Sequence, residues 1–347
     1  MTVRPLPDLA PLQEYHAAGR GLDALPGEED LLDGTPGTEP NGDLARRSAP
    51  TRLIRTRCEV LSNRRTGAYV SLTLVAPDIA ERAKPGQFVE IAVPEDRSYL
   101  LRRPFSIHQA SRRGGWAGTL EVVFDAVGPG TAWLADAKPH DVLDVIGPLG
   151  RSFAYPRELA RCLLVGGGYG AAPLHFLAEE LRARNKDVHM ILGARDHDRV
   201  FKPIEGKRLA SSIVITTEDG SMGTPGRVTD VLPATLEKTG AGVVYACGPN
   251  AMLRAISEFC RARGIPCQVA VEEMMACGVG ICWTCAVPVI ALDGRGWWNV
   301  RACVEGPVFN GARIWWDRWL GEREPEVEQP ELAEDLPEPQ PVEARTW

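Results

Sequence analysis

The rhythm of hydrophobic and polar positions changes once along this chain, near residue 160, and the change divides the molecule. From Thr51 to about Ser152, apolar and polar residues alternate in short runs, such as Tyr69-Val70-Ser71-Leu72-Thr73-Leu74-Val75, Phe88-Val89-Glu90-Ile91-Ala92-Val93 and Thr119-Leu120-Glu121-Val122-Val123-Phe124. Alternation at period two, punctuated by Gly and Pro, predicts antiparallel strands. Strands filling residues 51–155 predict a small closed barrel. From Arg161 onward the apolar runs become continuous, as in Cys162-Leu163-Leu164-Val165, which is the pattern of a strand buried on both faces. Further runs at Val188–Gly193, Ser212–Thr216 and Gly242–Cys247 are separated by helical stretches at Leu174–Leu181, Thr229–Thr239 and Met252–Arg263. Strands alternating with helices predict a parallel sheet in an α/β domain over residues 156–267. A short cysteine-bearing segment, residues 268–320, completes a three-part body: antiparallel β-barrel, Rossmann-like α/β domain and small C-terminal subdomain.

Composition sets the ends apart from this body. Residues 1–50 carry nine acidic and four basic side chains, and residues 321–347 carry nine acidic and two basic. The two ends hold twelve of the 28 prolines. Charged, Pro-rich and poor in apolar residues, both read as disordered extensions, the second an acidic tail. Removing their net −5 and −7 from the overall −7 leaves about +5 on the body, a mild excess suited to nucleotide phosphates. No long Lys/Arg run marks a nucleic-acid surface. No apolar run of about eighteen residues predicts a membrane span, and no secretory leader is expected. Of nine cysteines, Cys58, Cys162, Cys247, Cys260 and Cys267 are scattered among apolar neighbours. They are expected to be buried, reduced thiols of a cytoplasmic protein.

The other four cysteines carry the chemistry. Cys277, Cys282 and Cys285 follow the spacing C-x4-C-x2-C, and Cys303 follows after a gap of seventeen residues. That is the plant-type spacing for a [2Fe–2S] cluster held by four thiolates. Gly278 and Gly280 allow the backbone to wrap closely and aim N–H groups at sulfur. A structural zinc site is the alternative, but zinc ribbons show two separate C-x2–4-C pairs rather than a triplet and a lone Cys.

Two strings in the barrel suit a flavin. In Leu101-Arg102-Arg103-Pro104-Phe105-Ser106-Ile107, the planar fork of Arg103 matches a pyrophosphate. Alternation puts Phe105 on one face and Ser106 on the other, where its hydroxyl can reach flavin N5. Val127-Gly128-Pro129-Gly130-Thr131 is a glycine turn opening a helix, with free N–H groups and the Thr131 hydroxyl for phosphate. In the second domain, Gly166, Gly167, Gly168 and Gly170 follow a strand and precede a helix, the setting of a dinucleotide fingerprint, although Ala171 replaces its last glycine. Asp196 and Asp198 are candidate ribose readers, with Arg195 beside them, so NAD and NADP both remain open. At a strand's carboxyl end, Cys247-Gly248-Pro249 either lines the nicotinamide pocket or supplies a core thiol. No Ser-His-Asp or paired-carboxylate set stands out, and no side chain is assigned a catalytic role. A nicotinamide exchanges two electrons as hydride and an iron–sulfur cluster one, so a flavin belongs between them.

These strings resemble those of the ferredoxin–NADP reductase superfamily and, more narrowly, of the electron-transfer subunit of NAD-linked, two-subunit dihydroorotate dehydrogenase. The resemblance is carried by Arg103-Pro104-Phe105-Ser106-Ile107, Gly130-Thr131, Gly147-Pro148-Leu149-Gly150, Gly166–Gly170, Cys247-Gly248-Pro249 and Glu272-Glu273-Met274-Met275-Ala276-Cys277-Gly278-Val279-Gly280-Ile281-Cys282, across residues 51–311. It implies FAD in the barrel, held also by main-chain groups of Val123-Phe124-Asp125. It implies a [2Fe–2S] cluster on the four cysteines, NAD as acceptor, and a partner subunit with FMN in a heterotetramer. That partner oxidises dihydroorotate, and electrons pass through FMN, cluster and FAD to NAD in pyrimidine biosynthesis. A flavin subunit feeding a hydrogenase, sulfur reductase or transhydrogenase, or a redox-sensing regulator, would use the same cofactors. The stretch 291–299, with Trp297 and Trp298, lengthens the link to Cys303; the tryptophans are expected to pack in the core, cover the cluster or meet the partner.

Overall fold

The computed structural model describes residues 53–93, 100–157, 160–291 and 296–321. The extensions expected to be disordered and residues 292–295 of the 291–299 stretch lie outside the described residues.

Six strands form a closed barrel: β1 (Ile54–Thr66), β2 (Tyr69–Val75), β3 (Phe88–Ile91), β4 (Arg103–Ser111), β5 (Thr119–Phe124) and β6 (Val142–Leu149), in the order β1-β2-β5-β4-β3-β6. All barrel pairings are antiparallel, as the period-two pattern predicts. Alternate residues, among them Leu72, Leu74, Val89, Ile91, Phe105, Ile107, Leu120 and Val122, fill the interior. The outer face of β3 and β4 carries Phe88 opposite Ser106 and Glu90 opposite Pro104. Helix α1 (Pro77–Arg82) follows β2, and α2 (Pro129–Ala135) follows β5.

The second sheet has seven strands in the order β10-β9-β8-β7-β11-β12-β15. These are β7 (Arg161–Gly167), β8 (Asp187–Ala194), β9 (Ser212–Thr217), β10 (Thr224–Pro225), β11 (Val243–Cys247), β12 (Cys267–Ala270) and β15 (Val308–Asn310). The first six run parallel, and β15 joins β12 antiparallel. Cys162, Leu163, Leu164 and Val165 are wholly buried, which explains the unbroken apolar run of β7. Helices α3 (Ala171–Ala183), α4 (Pro203–Leu209), α5 (Val228–Thr239) and α6 (Asn250–Arg261) supply the crossovers. Helix α6 buries Leu253, Ile256, Ser257 and Cys260, a stripe at helical spacing.

The strands β13 (Ala286–Ile290) and β14 (Trp297–Arg301) form a hairpin of their own, and α7 (Trp316–Leu320) ends the described chain. This cysteine-bearing segment is not a detached unit. The strand β12 runs across residues 267 and 268, and β15 extends the nucleotide sheet. One core holds Leu163 and Val165 of β7 together with Cys285, Val287, Cys303 and Phe309. Trp297 packs edge-on against Trp315, with the Arg318 guanidinium over its ring, and Trp298 joins the shared core.

Candidate functional site

The structure brings the cysteines together as two pairs. Cys277 and Cys282 are hydrogen-bond neighbours, and so are Cys285 and Cys303. No three metal-binding side chains converge on one point among the described residues. Two thiol pairs suit two irons that share four thiolates, whereas a mononuclear zinc site needs all four donors around one ion. Cys285 and Cys303 come from the buried ends of the hairpin, while Cys277 and Cys282 lie nearer the surface. The loop between them turns through left-handed conformations at Gly278 (φ 66°), Gly280 (φ 83°) and Trp283 (φ 59°). This aims the N–H groups of Ile281 and Cys282 at the Cys277 sulfur, at 3.3 and 3.5 Å. The Thr284 hydroxyl donates to Cys282 at 3.1 Å and is the largest cause holding that thiol down to about 7. Hydrogen bonds of this kind favour the thiolate that binds iron.

Arg301 fastens the loop from below. It donates to the Gly280 carbonyl at 2.9 Å, pairs with Glu305 at 2.5 Å and lies over the Trp283 ring at 4.9 Å. A Cβ on Gly278 would lie 2.5 Å from the Glu90 side chain. The cysteine loop therefore rests directly on the outer face of β3, beside the Arg103–Ser106 strand. Glu90 is fully buried there, and neither carboxylate oxygen has a partner. Burial is the main cause pushing its carboxyl up to about 8.

The two flavin strings meet. The Arg103 guanidinium packs on Gly130, where a Cβ would come within 2.8 Å of its Nε. Phe105 points into the barrel against Phe124 at 4.8 Å, while Ser106 is half-buried on the other face. Val123 points outward into the nucleotide-domain core. The Asp125 carboxylate accepts from Arg199 at 3.1 Å, and Pro104 lies opposite Glu90. The Thr131 hydroxyl closes its own turn, accepting from the Gly128 N–H and donating to the Gly128 carbonyl, each at 3.0 Å.

At the carboxyl ends of the parallel strands lies a cavity of about 500 Å³. Gly167, Gly168, Gly170, Gly248 and Pro249 line it, with Tyr69, Tyr169, Arg195, Arg199, Glu218, Arg227 and Glu272. The glycine string and the Cys247-Gly248-Pro249 turn are thus one wall. Some glycines serve protein packing: a Cβ on Gly166 would meet Ala171 at 2.6 Å, and one on Gly170 would meet the Cys247 and Gly248 backbone at 2.7 Å. Cys247 itself is in the core, not among the cavity's lining residues, and burial pushes its thiol up to about 12. Asp196 and Asp198 do not line the cavity either; Asp196 binds the Arg199 N–H and guanidinium, and Asp198 pairs with His197. Arg195, at the end of β8, lines it instead.

Glu90, Arg301, Thr284, Arg227, Glu218 and the Tyr169–Glu272 pair were not foreseen. Arg227 and Glu218 had a signal, since they stand at the carboxyl-end loops of a predicted parallel sheet. Glu90 had one as well: it is an acidic residue amid an apolar strand.

A closed antiparallel barrel beside a parallel α/β sheet is the ferredoxin–NADP reductase superfamily architecture, and the cysteine loop packed on both is an addition to it. A solved structure of an NADH-dependent reduced ferredoxin–NADP oxidoreductase superposes with a TM-score of 0.64 at 30% identity, covering 76% of this chain and 91% of that one. The ferredoxin reductase of carbazole 1,9a-dioxygenase shares the fold, with a TM-score of 0.52 at 24% identity over 62% of this chain and 67% of that one. Residues 272–314 match the iron–sulfur cluster binding domain of dihydroorotate dehydrogenase B. The electron transfer subunit of dihydroorotate dehydrogenase B (NAD(+)) from Desulforamulus reducens is 40% identical over 242 residues, 70% of this chain and 90% of that protein. Its counterpart from Geobacillus thermodenitrificans is 39% identical over 265 residues, 75% of this chain and 98% of that protein. The chain belongs to this family of electron transfer subunits.

Proposed function

We propose that this chain is the electron-transfer subunit of an NAD-linked dihydroorotate dehydrogenase of pyrimidine biosynthesis. It works beside an FMN-bearing catalytic subunit, in a cytoplasmic heterotetramer. One observation carries the reading above the others: the paired-thiol loop sits on the flavin strand, with Gly278 against Glu90 and Glu90 opposite Pro104. Cys277, Cys282, Cys285 and Cys303 are the ligand set for a [2Fe–2S] cluster. The guanidinium of Arg103, with Gly130 and Thr131, would hold the FAD pyrophosphate, while Pro104, Ser106 and the main chain of Phe105, Val123, Phe124 and Asp125 would hold the rest, the Phe105 side chain lying inside the barrel. Gly166, Gly167, Gly168 and Gly170, with Cys247, Gly248 and Pro249, form or support the NAD site. Bound FAD exchanges a hydride with nicotinamide and single electrons with a cluster, chemistry that no side chain supplies. The orphaned carboxyl of Glu90, beside the cysteine loop, is a polar group left for such cofactors to complete, and the loop N–H groups already aimed at the Cys277 sulfur suit a ligating thiolate.

No helix among the described residues is long and apolar enough to cross a membrane. The test is dihydroorotate-dependent NAD reduction by this chain co-expressed with the dihydroorotate-oxidising subunit of its source, the partner alone being the control. Turnover requiring this chain is expected. Cys282→Ser is expected to abolish it while FAD stays bound; full coupling in that variant would remove the cluster from the route.

A further inference from the structure

A short strap, residues 271–276, leads from β12 to the first cysteine and ties the nucleotide cavity to the cluster loop. At its start, Glu272 lines the cavity. Its carbonyl accepts from Asn250 Nδ2 at 2.9 Å, and its N–H donates to Asn250 Oδ1 at 3.3 Å. Asn250 opens α6 immediately after the Cys247-Gly248-Pro249 turn, so this clasp belongs to the cavity wall. The Glu272 carboxylate accepts a further hydrogen bond, from the Tyr169 hydroxyl. Tyr169 stands within the glycine string, lines the same cavity and meets Tyr69 of the barrel edge-on at 5.8 Å. Only four residues separate Glu272 from Cys277.

A dinucleotide brings an anionic pyrophosphate and a flat ring into this cavity. Arg195, Arg199 and Arg227 favour the anion, whereas the Glu272 carboxylate opposes it and the Tyr169 ring stands in the wall. Binding therefore works against the Tyr169–Glu272 bond. We propose that Glu272 is a positioning residue that couples nucleotide occupancy to the cluster loop, so that nucleotide affinity depends on the cluster's redox state.

The coupling is reciprocal, because it is one free energy seen from two sites. A dinucleotide that binds about tenfold tighter to the oxidised form lowers the potential of a one-electron cluster by about 59 mV. The oxidised form is the tighter binder because reduction adds negative charge at the strap's end, which makes the Glu272 carboxylate hold the Tyr169 hydroxyl more strongly and keeps the strap clasped against the dinucleotide that must release it.

This inference rests on the proposed function, since it needs both a cluster and a dinucleotide site. The test is an EPR-monitored redox titration of the cluster in the assembled holoenzyme, with and without saturating tetrahydro-NAD, a redox-inert dinucleotide. Saturation is checked by calorimetry. The wild type is expected to show the downward shift. Tyr169→Phe keeps every charge and the ring but removes the bond; it is expected to bind the dinucleotide more tightly and to lose the shift. No shift in the wild type overturns the proposal. A shift that persists in Tyr169→Phe also overturns it, since a direct field between the two sites would then be the cause. Absence of the EPR signal, or of calorimetric binding, would instead sink the proposed function and this inference with it.

Discussion

Gly130 is a residue whose value lies in what it leaves room for. The Arg103 guanidinium occupies the place of its missing Cβ, at 2.8 Å. Because that contact is the mobile end of a long side chain, Gly130→Ala is expected to spare the fold; in a helix it adds about 0.5–1 kcal/mol of stability. Displacing the guanidinium is expected to weaken FAD binding about tenfold, or about 1.4 kcal/mol, measurable by flavin fluorescence titration. An unchanged affinity would dissociate Arg103 from the pyrophosphate. His108 is the opposite case: beside the flavin strand its type points to packing or hydrogen bonding rather than catalysis, and in the fold it holds a polar network. Its Nδ1–H donates to the Ala172 carbonyl at 2.7 Å, and its Nε2 accepts from Lys202 Nζ at 2.9 Å. Only a neutral ring fits between a carbonyl and an ammonium, and burial, the largest cause, holds His108 down to about 4. The folded state therefore binds fewer protons than the unfolded chain between about pH 6.5 and 4, so stability falls as pH drops through that window. Between pH 6.5 and 5 the loss is about 2 kcal/mol. His108→Phe is expected to be less stable at pH 7 yet to show a flatter pH dependence in urea titrations; the depressed His175 contributes the remaining slope. The sequence revealed which residues bear chemistry, since Arg103, Gly130 and the cysteines announce it by type and spacing. It did not reveal this network, because His108, Lys202 and Glu121 lie on separate elements that only the fold brings together.

Among elements, the parallel sheet was the most legible and the cysteine segment the least. Strands β7, β8 and β11 begin and end within a residue or two of their apolar runs, because a strand buried on both faces writes its limits in composition, and the half-buried β9 does so through its Ile213-Val214-Ile215 run. The edge strand β15 is three residues long and belongs to a segment whose other strands pair elsewhere, so no local pattern predicts its place. Glycines mislead in an instructive way. The string Gly166–Gly170 reads as space for a nucleotide, yet the Cβ position of Gly170 is taken by the backbone of the Cys247-Gly248 turn at 2.7 Å. Backbone atoms at the end of a central strand cannot swing aside. Gly170→Ala is expected to cost about 2 kcal/mol or more in chemical denaturation and to weaken dinucleotide binding, since the β7 loop and the β11 turn form one wall. Gly242→Ala is the control: nothing lies within 4 Å of its Cβ position, and a change within about 0.5 kcal/mol is expected. Equal effects at the two sites would mean that loss of chain flexibility, not crowding, governs both.

At the scale of the whole molecule, electron transfer requires that barrel, nucleotide sheet and cysteine segment keep fixed separations, and one junction where all three meet helps to set them. Pro307 and Val308 of the cysteine segment stand where all three meet. The Cβ position of Gly86 in the barrel lies 2.6 Å from Val308 Cγ2, and that of Gly150, just past β6, lies 2.6 Å from Pro307 Cδ. Val308 pairs with Ala270 of the nucleotide sheet, and the Val271 N–H donates to the Pro307 carbonyl at 2.9 Å. Both barrel glycines have positive φ, 92° and 73°, so any side chain there would meet strain as well as a clash. Val308 is fully buried, and truncation to Ala opens a void among three bodies rather than inside one. The loss is expected at about 1–3 kcal/mol, from removed apolar contact and an uncollapsed cavity. Because no thiol, Arg103 or cavity-lining residue is touched, FAD and iron contents should remain at wild-type levels while the melting temperature falls. Loosened separations should then lower coupled dihydroorotate-to-NAD turnover more than NADH oxidation with a soluble one-electron dye that takes electrons directly from the flavin. Equal losses in the two assays would place the defect in the nucleotide site. A selective loss would make this junction the element that holds the route together.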